Sequence, residues 1–224
     1  MQVLNVKTNC SYAADNDPMV LGRIFDEEIS VALWCRENQQ IVASYFDTVF
    51  KRLGMGLRGV FILQSLKAEL EASLPSAKGR AEAIDDIFLL SDMLTTLFNC
   101  DSVGLRLAPL DAAMCPKLHA DNIPVRLVST YLGEGTQWLP QERLISANAL
   151  QPNASNTLGT HKHKLAKSLG NVNYLESDIM QMSSFDVGLL KGKAWPEQEK
   201  SAALHRSCPV SEGAKRVLLT LDPM

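Results

Sequence analysis

The feature that most limits the fold of this chain is a series of short β-like segments that begins near residue 101 and continues to the end. These segments alternate apolar and polar residues and are separated by turn signals, and they cover residues 103–110, 124–132, 133–139, 174–182, 185–192, 203–208 and 215–221. Residues 141–173 are polar and rich in Asn, Ser and Gly, which indicates an excursion with one short helix at 162–169. The pattern therefore predicts a closed β sandwich over residues 101–224.

The first hundred residues have a different pattern. Residues 37–53, 60–74 and 80–98 carry apolar side chains at helical spacing, and glycine or proline breaks separate them. Residues 30–35 form a short apolar run that is compatible with a strand, and polar residues 1–22 predict a loosely tied arm. We therefore expect an α+β protein of one domain, in which a mainly helical scaffold (residues 1–100) packs on the β sandwich.

Composition restricts the class of protein. The chain has 224 residues, of which 46% are apolar, and a net charge of −3, as expected for a soluble globular protein. No Lys/Arg run predicts a nucleic-acid surface, no apolar run approaches the roughly 20 residues that span a bilayer, and no secretory signal is visible. Five widely spaced cysteines predict reduced thiols in a cytoplasm. We expect a cytoplasmic protein with a small-molecule or protein substrate, without nucleic-acid or membrane partners.

Three residues form a candidate metal site. His119 and Asp121 are two positions apart, so on a strand their side chains point to the same face. A second imidazole from a neighbouring strand would complete a set of two His and one carboxylate, and His205 is the candidate. This set holds Fe(II) while it leaves coordination positions open.

Two cysteines provide an alternative ligand set. Cys115 precedes His119 by four residues, and Cys208 follows His205 by three. Together the four residues match a Cys₂His₂ set for tetrahedral Zn(II), which needs no open position. Asp121 separates the alternatives, because only the iron site requires it as a ligand. A polar cluster without any metal is a third interpretation.

The C-terminal half resembles a known superfamily. His119-x-Asp121, Gly188-Leu-Leu-Lys-Gly192, His205-Arg-Ser-Cys and Gly213-Ala-Lys-Arg216 are similar to the double-stranded β-helix core of the Fe(II)/2-oxoglutarate-dependent dioxygenases. The resemblance implies a cupin-like jelly roll in which His119, Asp121 and His205 bind iron. It also implies that Arg216 clamps the distal carboxylate of 2-oxoglutarate, for which a planar guanidinium is suited. Many such enzymes carry Ser or Thr two residues after this arginine, whereas this chain has Leu218.

A second resemblance covers the whole chain. A bacterial domain family of unknown function, whose members occur beside zinc-homeostasis genes, is similar in five motifs: Leu33-Trp-Cys-Arg36, His119-x-Asp121, Tyr131-x-Gly-x-Gly-Thr-x-Trp138, Leu189-Leu-Lys-Gly192 and His205-Arg-Ser207. That association implies a role in metal supply or limitation. The leading hypothesis is an oxygenase that uses Fe(II) and 2-oxoglutarate, and the alternative is a non-enzymatic zinc-binding protein in bacterial metal homeostasis.

Four further residues are weaker candidates. Tyr131 and Arg126 lie on the strand predicted at 124–132, where each could contact a carboxylate of the co-substrate. Packing explains Tyr131 equally well, and a structural ion pair explains Arg126. His161 and His163 have the spacing of paired zinc ligands but lack the residues that continue a metallo-hydrolase pattern. A solvated loop is the default for them, and a lid or a second metal position is the alternative.

Overall fold

The computed structural model describes residues 10–146, 166–169, 172–196 and 202–224. Three α-helices lie in the first half of the chain: α1 (Gln40–Val49), α2 (Leu63–Ser73) and α3 (Arg80–Phe98). Short 3-10 helices occupy Pro18–Phe25, Phe50–Leu53, Gln141–Arg143 and Glu176–Asp178. The strands of the described residues are β1 (Tyr12–Asp15), β2 (Val31–Trp34), β3 (Leu57–Ile62), β4 (Ser102–Leu110), β5 (Val125–Leu132), β6 (Gln137–Leu139), β7 (Ile145–Ser146), β8 (Ala166–Leu169), β9 (Val172–Leu175), β10 (Met180–Gln181), β11 (Val187–Lys191), β12 (Leu204–Arg206) and β13 (Arg216–Pro223).

The strands form one large sheet and two small ones. The large sheet has the order β1-β2-β11-β5-β13-β4-β3, and only its β1–β2 pair is parallel. The second sheet has the order β10-β6-β12, and a bridge between His119 and His205 adds a fourth segment beside β12. The third sheet, β7-β9-β8, belongs to the polar excursion.

Eight of these segments form a jelly roll. Numbered along the chain, they are β4, the segment around residue 119, β5, β6, β10, β11, β12 and β13. Their order is 1-8-3-6 in the centre of the large sheet and 2-7-4-5 in the second sheet. This interleaved order is that of a double-sheet jelly roll, the architecture of cupins. The jelly-roll part of the predicted fold is thus supported by strand order alone.

Apolar side chains divide the large sheet into two faces. Val125, Leu127 and Tyr131 of β5 contribute to the principal core, which also contains the buried sides of α1, α2 and α3. Val128, on the opposite face, joins a second cluster around Trp138 that fills the space between the two sheets of the jelly roll. This division follows from the alternation of side chains along a strand.

Helix α3 shows how local sequence fixes an element. Its bounds are those that helical spacing predicts, and its buried positions recur every three or four residues. Gly79 precedes the helix with φ +92°, where an added Cβ would lie 2.6 Å from the Ile41 carbonyl oxygen. Asn99 ends the helix in the left-handed conformation that asparagine tolerates.

The first half of the chain departs from its prediction in three places. The mainly helical scaffold is not confirmed, because β1, β2 and β3 from this half join the large sheet. Residues 12–22 do not form a loose arm but contain β1 and part of a 3-10 helix. Residues 60–62 belong to β3, and the predicted second helix begins only at Leu63.

The second half shows one such departure. Residues 166–169 of the predicted helix form strand β8, while 162–165 lie outside the described residues. No helix in the described part of the chain is long and apolar enough to cross a membrane. The organisation of residues 1–224 as one domain stays a prediction.

Candidate functional site

Two histidines are paired on neighbouring segments of the second sheet. The backbones of His119 and His205 exchange both hydrogen bonds, with N···O distances of 3.0 and 2.9 Å. Residues directly opposite in an antiparallel pair project side chains to the same face. The two imidazole centroids are accordingly 4.6 Å apart.

Asp121 completes the cluster. Its Oδ1 lies 3.5 Å from His119 Nε2, and its Oδ2 lies 3.7 Å from His205 Nε2. One potential ligand atom from each of these three residues lies within 4.8 Å of the other two. The structure therefore brings together the three residues that the sequence predicts as metal ligands.

The protonation of the imidazoles suits metal binding. His119 Nδ1 is 2.9 Å from the Lys117 carbonyl oxygen, and His205 Nδ1 is 3.0 Å from that of Ala203. Since a carbonyl oxygen can only accept a hydrogen bond, each Nδ1 carries a proton, and in the neutral form of either ring the lone pair is on Nε2. Burial lowers the pKa of His205, which favours this neutral form.

Arg126 contacts the carboxylate of the cluster. Its Nη1 donates to Asp121 Oδ2 at 2.7 Å, and its Nε and Nη2 donate to the two oxygens of Asp222 at 2.8 and 2.6 Å. Burial by itself would lower the pKa of Arg126, but the hydrogen bonds and charges of Asp222 and Asp121 outweigh it and raise the pKa. These contacts match the structural ion pair, and the predicted contact with a co-substrate stays untested.

Arg216 lies in a different environment. The residue is 1% exposed, and its Nε donates to the Glu134 carbonyl oxygen at 2.8 Å. Its Nη atoms meet only hydroxyl oxygens at longer range, those of Ser207 (3.5 Å), Thr130 (3.4 Å) and Thr136 (3.2 Å). No carboxylate among the described residues pairs with this guanidinium, and burial lowers the pKa of Arg216.

The loop after β5 shapes the surroundings of Arg216. Gly133 has φ +82°, and a Cβ there would lie 2.6 Å from the Lys215 carbonyl oxygen. A Cβ on Gly135 would lie 2.5 Å from the Met182 carbonyl oxygen. Only glycine fits at both positions, so the Gly-x-Gly-Thr motif brings the Glu134 carbonyl and the Thr136 hydroxyl to the guanidinium.

Ser207 contacts the arginine and is close in sequence to His205. It directly follows β12, and its hydroxyl lies 3.5 Å from Arg216 Nη1 and accepts a hydrogen bond from the Cys115 backbone N–H at 3.4 Å. Sequence reasoning missed Ser207, Thr130, Thr136 and Asp222. The spacing of Ser207 from His205 was a usable signal, whereas the contacts of the other three depend on strand register.

The interpretation of Tyr131 as a co-substrate ligand is wrong. Its side chain is fully buried in the core between the sheet and the helices, where the ring stacks on Phe46 of α1 at 4.9 Å. Arg126, Val128 and Thr130 occupy the opposite face of β5. Burial, with the Asp86 carboxylate nearby, raises the pKa of Tyr131 well above its usual value.

The alternative zinc ligands do not join the histidines. Cys115 is exposed, and Cys208 is buried with its Sγ 3.3 Å from the Glu134 carbonyl oxygen, beside Arg216. The metal-ligand group that the described residues form contains neither cysteine. The Cys₂His₂ set is therefore not assembled. His161 and His163 lie outside the described residues, so their predicted roles stay predictions.

Comparison with protein families gives one match. The model of the family described as "Protein of unknown function (DUF1826)" matches residues 15–222, which is nearly the whole chain. The chain belongs to this family. No curated protein matches the chain. The predicted association of this DUF1826 chain with zinc homeostasis stays a prediction, as does its cytoplasmic location.

Comparison with solved structures gives distant likenesses. A rice dioxygenase for auxin oxidation is 10% identical, with a TM-score of 0.48 over 91% of this chain and 77% of the other. A Pseudomonas putida prolyl-4-hydroxylase is 13% identical, with a TM-score of 0.44 over 90% and 95%. The iron-bound HygX of Streptomyces hygroscopicus is 10% identical, with a TM-score of 0.44 over 91% and 86%. Likenesses at this level carry no information about the activity of the DUF1826 chain.

Proposed function

We propose that this chain is an Fe(II)/2-oxoglutarate-dependent oxygenase that oxidises a small-molecule or protein substrate with O₂. The observation that carries the proposal is a fully buried arginine without a carboxylate partner among the described residues, in the same jelly roll as a cluster of two imidazoles and one carboxylate. The first feature suits an anionic ligand, and the second suits a divalent metal.

The donor set fits iron. Two imidazole nitrogens and one carboxylate oxygen provide the three ligands that hold Fe(II) and leave positions open. His119 and His205 are oriented by their Nδ1 hydrogen bonds, and Asp121 by Arg126. Bound Fe(II) would supply the activation of O₂ that oxidation of a C–H bond requires.

Arg216 fits the distal carboxylate of the co-substrate. A buried charge costs several kcal/mol unless it is paired, and here one carbonyl and three hydroxyls provide only neutral acceptors. A carboxylate could accept two parallel hydrogen bonds from the guanidinium and supply the missing charge. 2-Oxoglutarate carries a second carboxylate besides its 2-oxo acid group, so one molecule can serve both the arginine and the metal cluster.

Hydroxyl groups near Arg216 compensate for the leucine at position 218. Many dioxygenases of this type carry Ser or Thr there, but this chain has hydroxyls on other segments. Thr130, Thr136 and Ser207 each lie within 3.5 Å of the Arg216 guanidinium. A carboxylate bound to Arg216 would find donors in these hydroxyls, so the leucine does not remove the polar contacts of the pocket.

An anaerobic titration tests the proposal. Metal-free protein receives Fe(II) and then 2-oxoglutarate while the visible metal-to-ligand charge-transfer band is recorded. We expect a band that is lost in His119→Ala and in Arg216→Ala and retained in Cys115→Ser. A wild-type protein that gives no band and binds Zn(II) tightly would overturn the oxygenase proposal.

A further inference from the structure

Two charged side chains, Arg126 and Asp222, hold Asp121 on one side. Its Oδ2 accepts a hydrogen bond from Arg126 Nη1 at 2.7 Å. The other edge of the same guanidinium binds both oxygens of Asp222, at 2.8 Å through Nε and 2.6 Å through Nη2. The metal-ligand carboxylate is thus connected to the last strand of the jelly roll through one planar group.

Arg126 is anchored to Asp222 within the large sheet. Arg126 lies on β5 and Asp222 on β13, which pair with each other in the centre of the large sheet. The bidentate contact fixes the plane of the guanidinium, because two parallel hydrogen bonds allow little rotation. The side chains of Arg126, Asp121 and Asp222 are 28%, 19% and 26% exposed, so the contacts are more shielded than a surface ion pair.

The contact limits how Asp121 can bind a metal. Oδ2 accepts a hydrogen bond from Arg126, which uses one of its lone pairs, and lies 3.7 Å from His205 Nε2. Oδ1 lies 3.5 Å from His119 Nε2 and accepts no hydrogen bond in the described part of the chain, so it is the freer oxygen. We infer that Arg126 is a positioning residue that restricts Asp121 to coordination through one oxygen, and that Asp222 orients Arg126. This inference rests on the metal site of the proposed function. Its consequence is that Asp121 occupies one coordination position and leaves another free for a ligand.

An electrostatic role and a positioning role of Arg126 predict opposite changes in metal affinity when the residue is replaced. The guanidinium is a cation beside a metal ligand, so its charge alone opposes binding of a divalent ion. Removal of that charge should tighten metal binding if the residue acts only through electrostatics. Loss of an outer-shell partner that orients a ligand typically weakens metal affinity by about 10- to 100-fold. The direction of the change therefore identifies the role.

Mn(II) binding to the full-length protein tests the inference. Free Mn(II) is measured by electron paramagnetic resonance, and coordinated water by proton relaxation. We expect Arg126→Met to weaken binding by about 10-fold or more and to lower the number of coordinated waters, because Asp121 can then use both oxygens. Arg126→Lys keeps the charge but lacks the several donors of the guanidinium, and Asp222→Asn weakens the contact that orients Arg126. Both should therefore give smaller losses in Mn(II) affinity.

An exposed arginine provides the matched control. Arg23 also donates to an aspartate, with Nε 2.8 Å from Asp26 Oδ2, but the pair is solvated and lies at the end of a 3-10 helix rather than in the jelly roll. Arg23→Met should leave Mn(II) affinity and coordinated water unchanged. If circular dichroism shows that Arg126→Met does not fold, Arg126→Lys and Asp222→Asn decide the result.

The outcomes separate this inference from the proposed function. Unchanged or tighter Mn(II) binding in the Arg126 and Asp222 variants would overturn the positioning role while the proposed function stands. Weaker binding in these variants, with no response of the wild type to 2-oxoglutarate, would support the positioning role and overturn the oxygenase. A wild-type protein that binds no Mn(II) would overturn both.

Discussion

Arg126 and Arg216 lie on adjacent strands and point into the same jelly roll, but their surroundings differ. Arg126 is partly exposed and binds two carboxylates, whereas Arg216 is fully buried and, among the described residues, meets only neutral oxygens. The pKa of Arg126 is raised and that of Arg216 is lowered. Stability alone would place the counterions beside the more buried charge, since desolvation costs most there. The reversed arrangement is the one expected if Arg126 stabilises the protein itself and Arg216, as proposed, binds a ligand.

Removal of the unpaired charge should have the largest effect on ligand binding. We expect Arg216→Met to weaken 2-oxoglutarate binding by about 30-fold or more, because truncation of a buried charge partner costs roughly 2–5 kcal/mol. Mn(II) affinity should not change, and thermal stability should not fall, since an uncompensated buried charge is lost. Calorimetric titration of Mn(II)-loaded protein and thermal denaturation measure these quantities. A change in 2-oxoglutarate affinity of less than threefold would contradict the assignment.

A counterion built into the pocket should make Arg216 resemble Arg126. In Thr136→Asp a carboxylate replaces the hydroxyl that lies 3.2 Å from Nη2. We expect 2-oxoglutarate binding to weaken by about 10-fold or more and the unfolding free energy to rise by about 1 kcal/mol, because a hydrogen bond between charged groups forms inside the protein. Denaturant unfolding measures the second effect. Thr136→Val is the control, and equal behaviour of the two variants would disprove the explanation by charge.

Ligand binding should stabilise the protein through Arg216. At a 2-oxoglutarate concentration 100 times its Kd, mass action raises the unfolding free energy of the Mn(II)-loaded wild type by about 2.7 kcal/mol. If its affinity is about 30-fold lower, Arg216→Met should gain only about 0.9 kcal/mol at the same concentration, while Arg126→Lys should retain most of the wild-type gain once saturated with metal. Thermal shift over a concentration series distinguishes the variants. Equal stabilisation of all three proteins would show that the ligand does not use the pocket.

The smallest effect is expected on the other face of β5. Tyr131 lies in the core between sheet and helices, so Tyr131→Phe should change 2-oxoglutarate affinity by less than about twofold, within the error of most titrations. The strand-based interpretation of Tyr131 as a co-substrate ligand predicts a clear loss instead. Thr130→Val, one residue earlier on the inner face, is the comparison and should weaken binding more.

Local patterns were sufficient to predict the ligand cluster. The two-residue spacing of His119 and Asp121 predicted that their side chains would converge, and they do so although only His119 pairs with a strand, through a single bridge. Helix α3 was predictable for a similar reason, because its apolar spacing and its glycine and asparagine ends lie within one segment. Arg216 was identified through resemblance, since no local pattern distinguishes a ligand-binding arginine from another strand arginine.

Register and pairing could not be predicted from the same patterns. The contact of Arg126 with Asp222 depends on the pairing of β5 with β13, which are far apart in the sequence. A register shift between Val217 and Leu218 changes which β5 residues stand opposite β13 near Tyr131. Strand β3 was mistaken for the start of a helix because Val60, Phe61 and Ile62 run directly into the apolar positions of α2.

The bridge between His119 and His205 has a consequence for the stability of the protein. These residues belong to the second and seventh segments of the jelly roll, so most of the β half of the sequence lies between them. An ion held by both imidazoles closes that stretch into one long loop. Unlike a disulfide, the ion dissociates when the chain unfolds, so it stabilises the protein through the folded state alone, by an amount that grows with the free metal concentration. The metal would thus be a removable stabilising ligand that connects distant segments in a chain whose described cysteines form no disulfide.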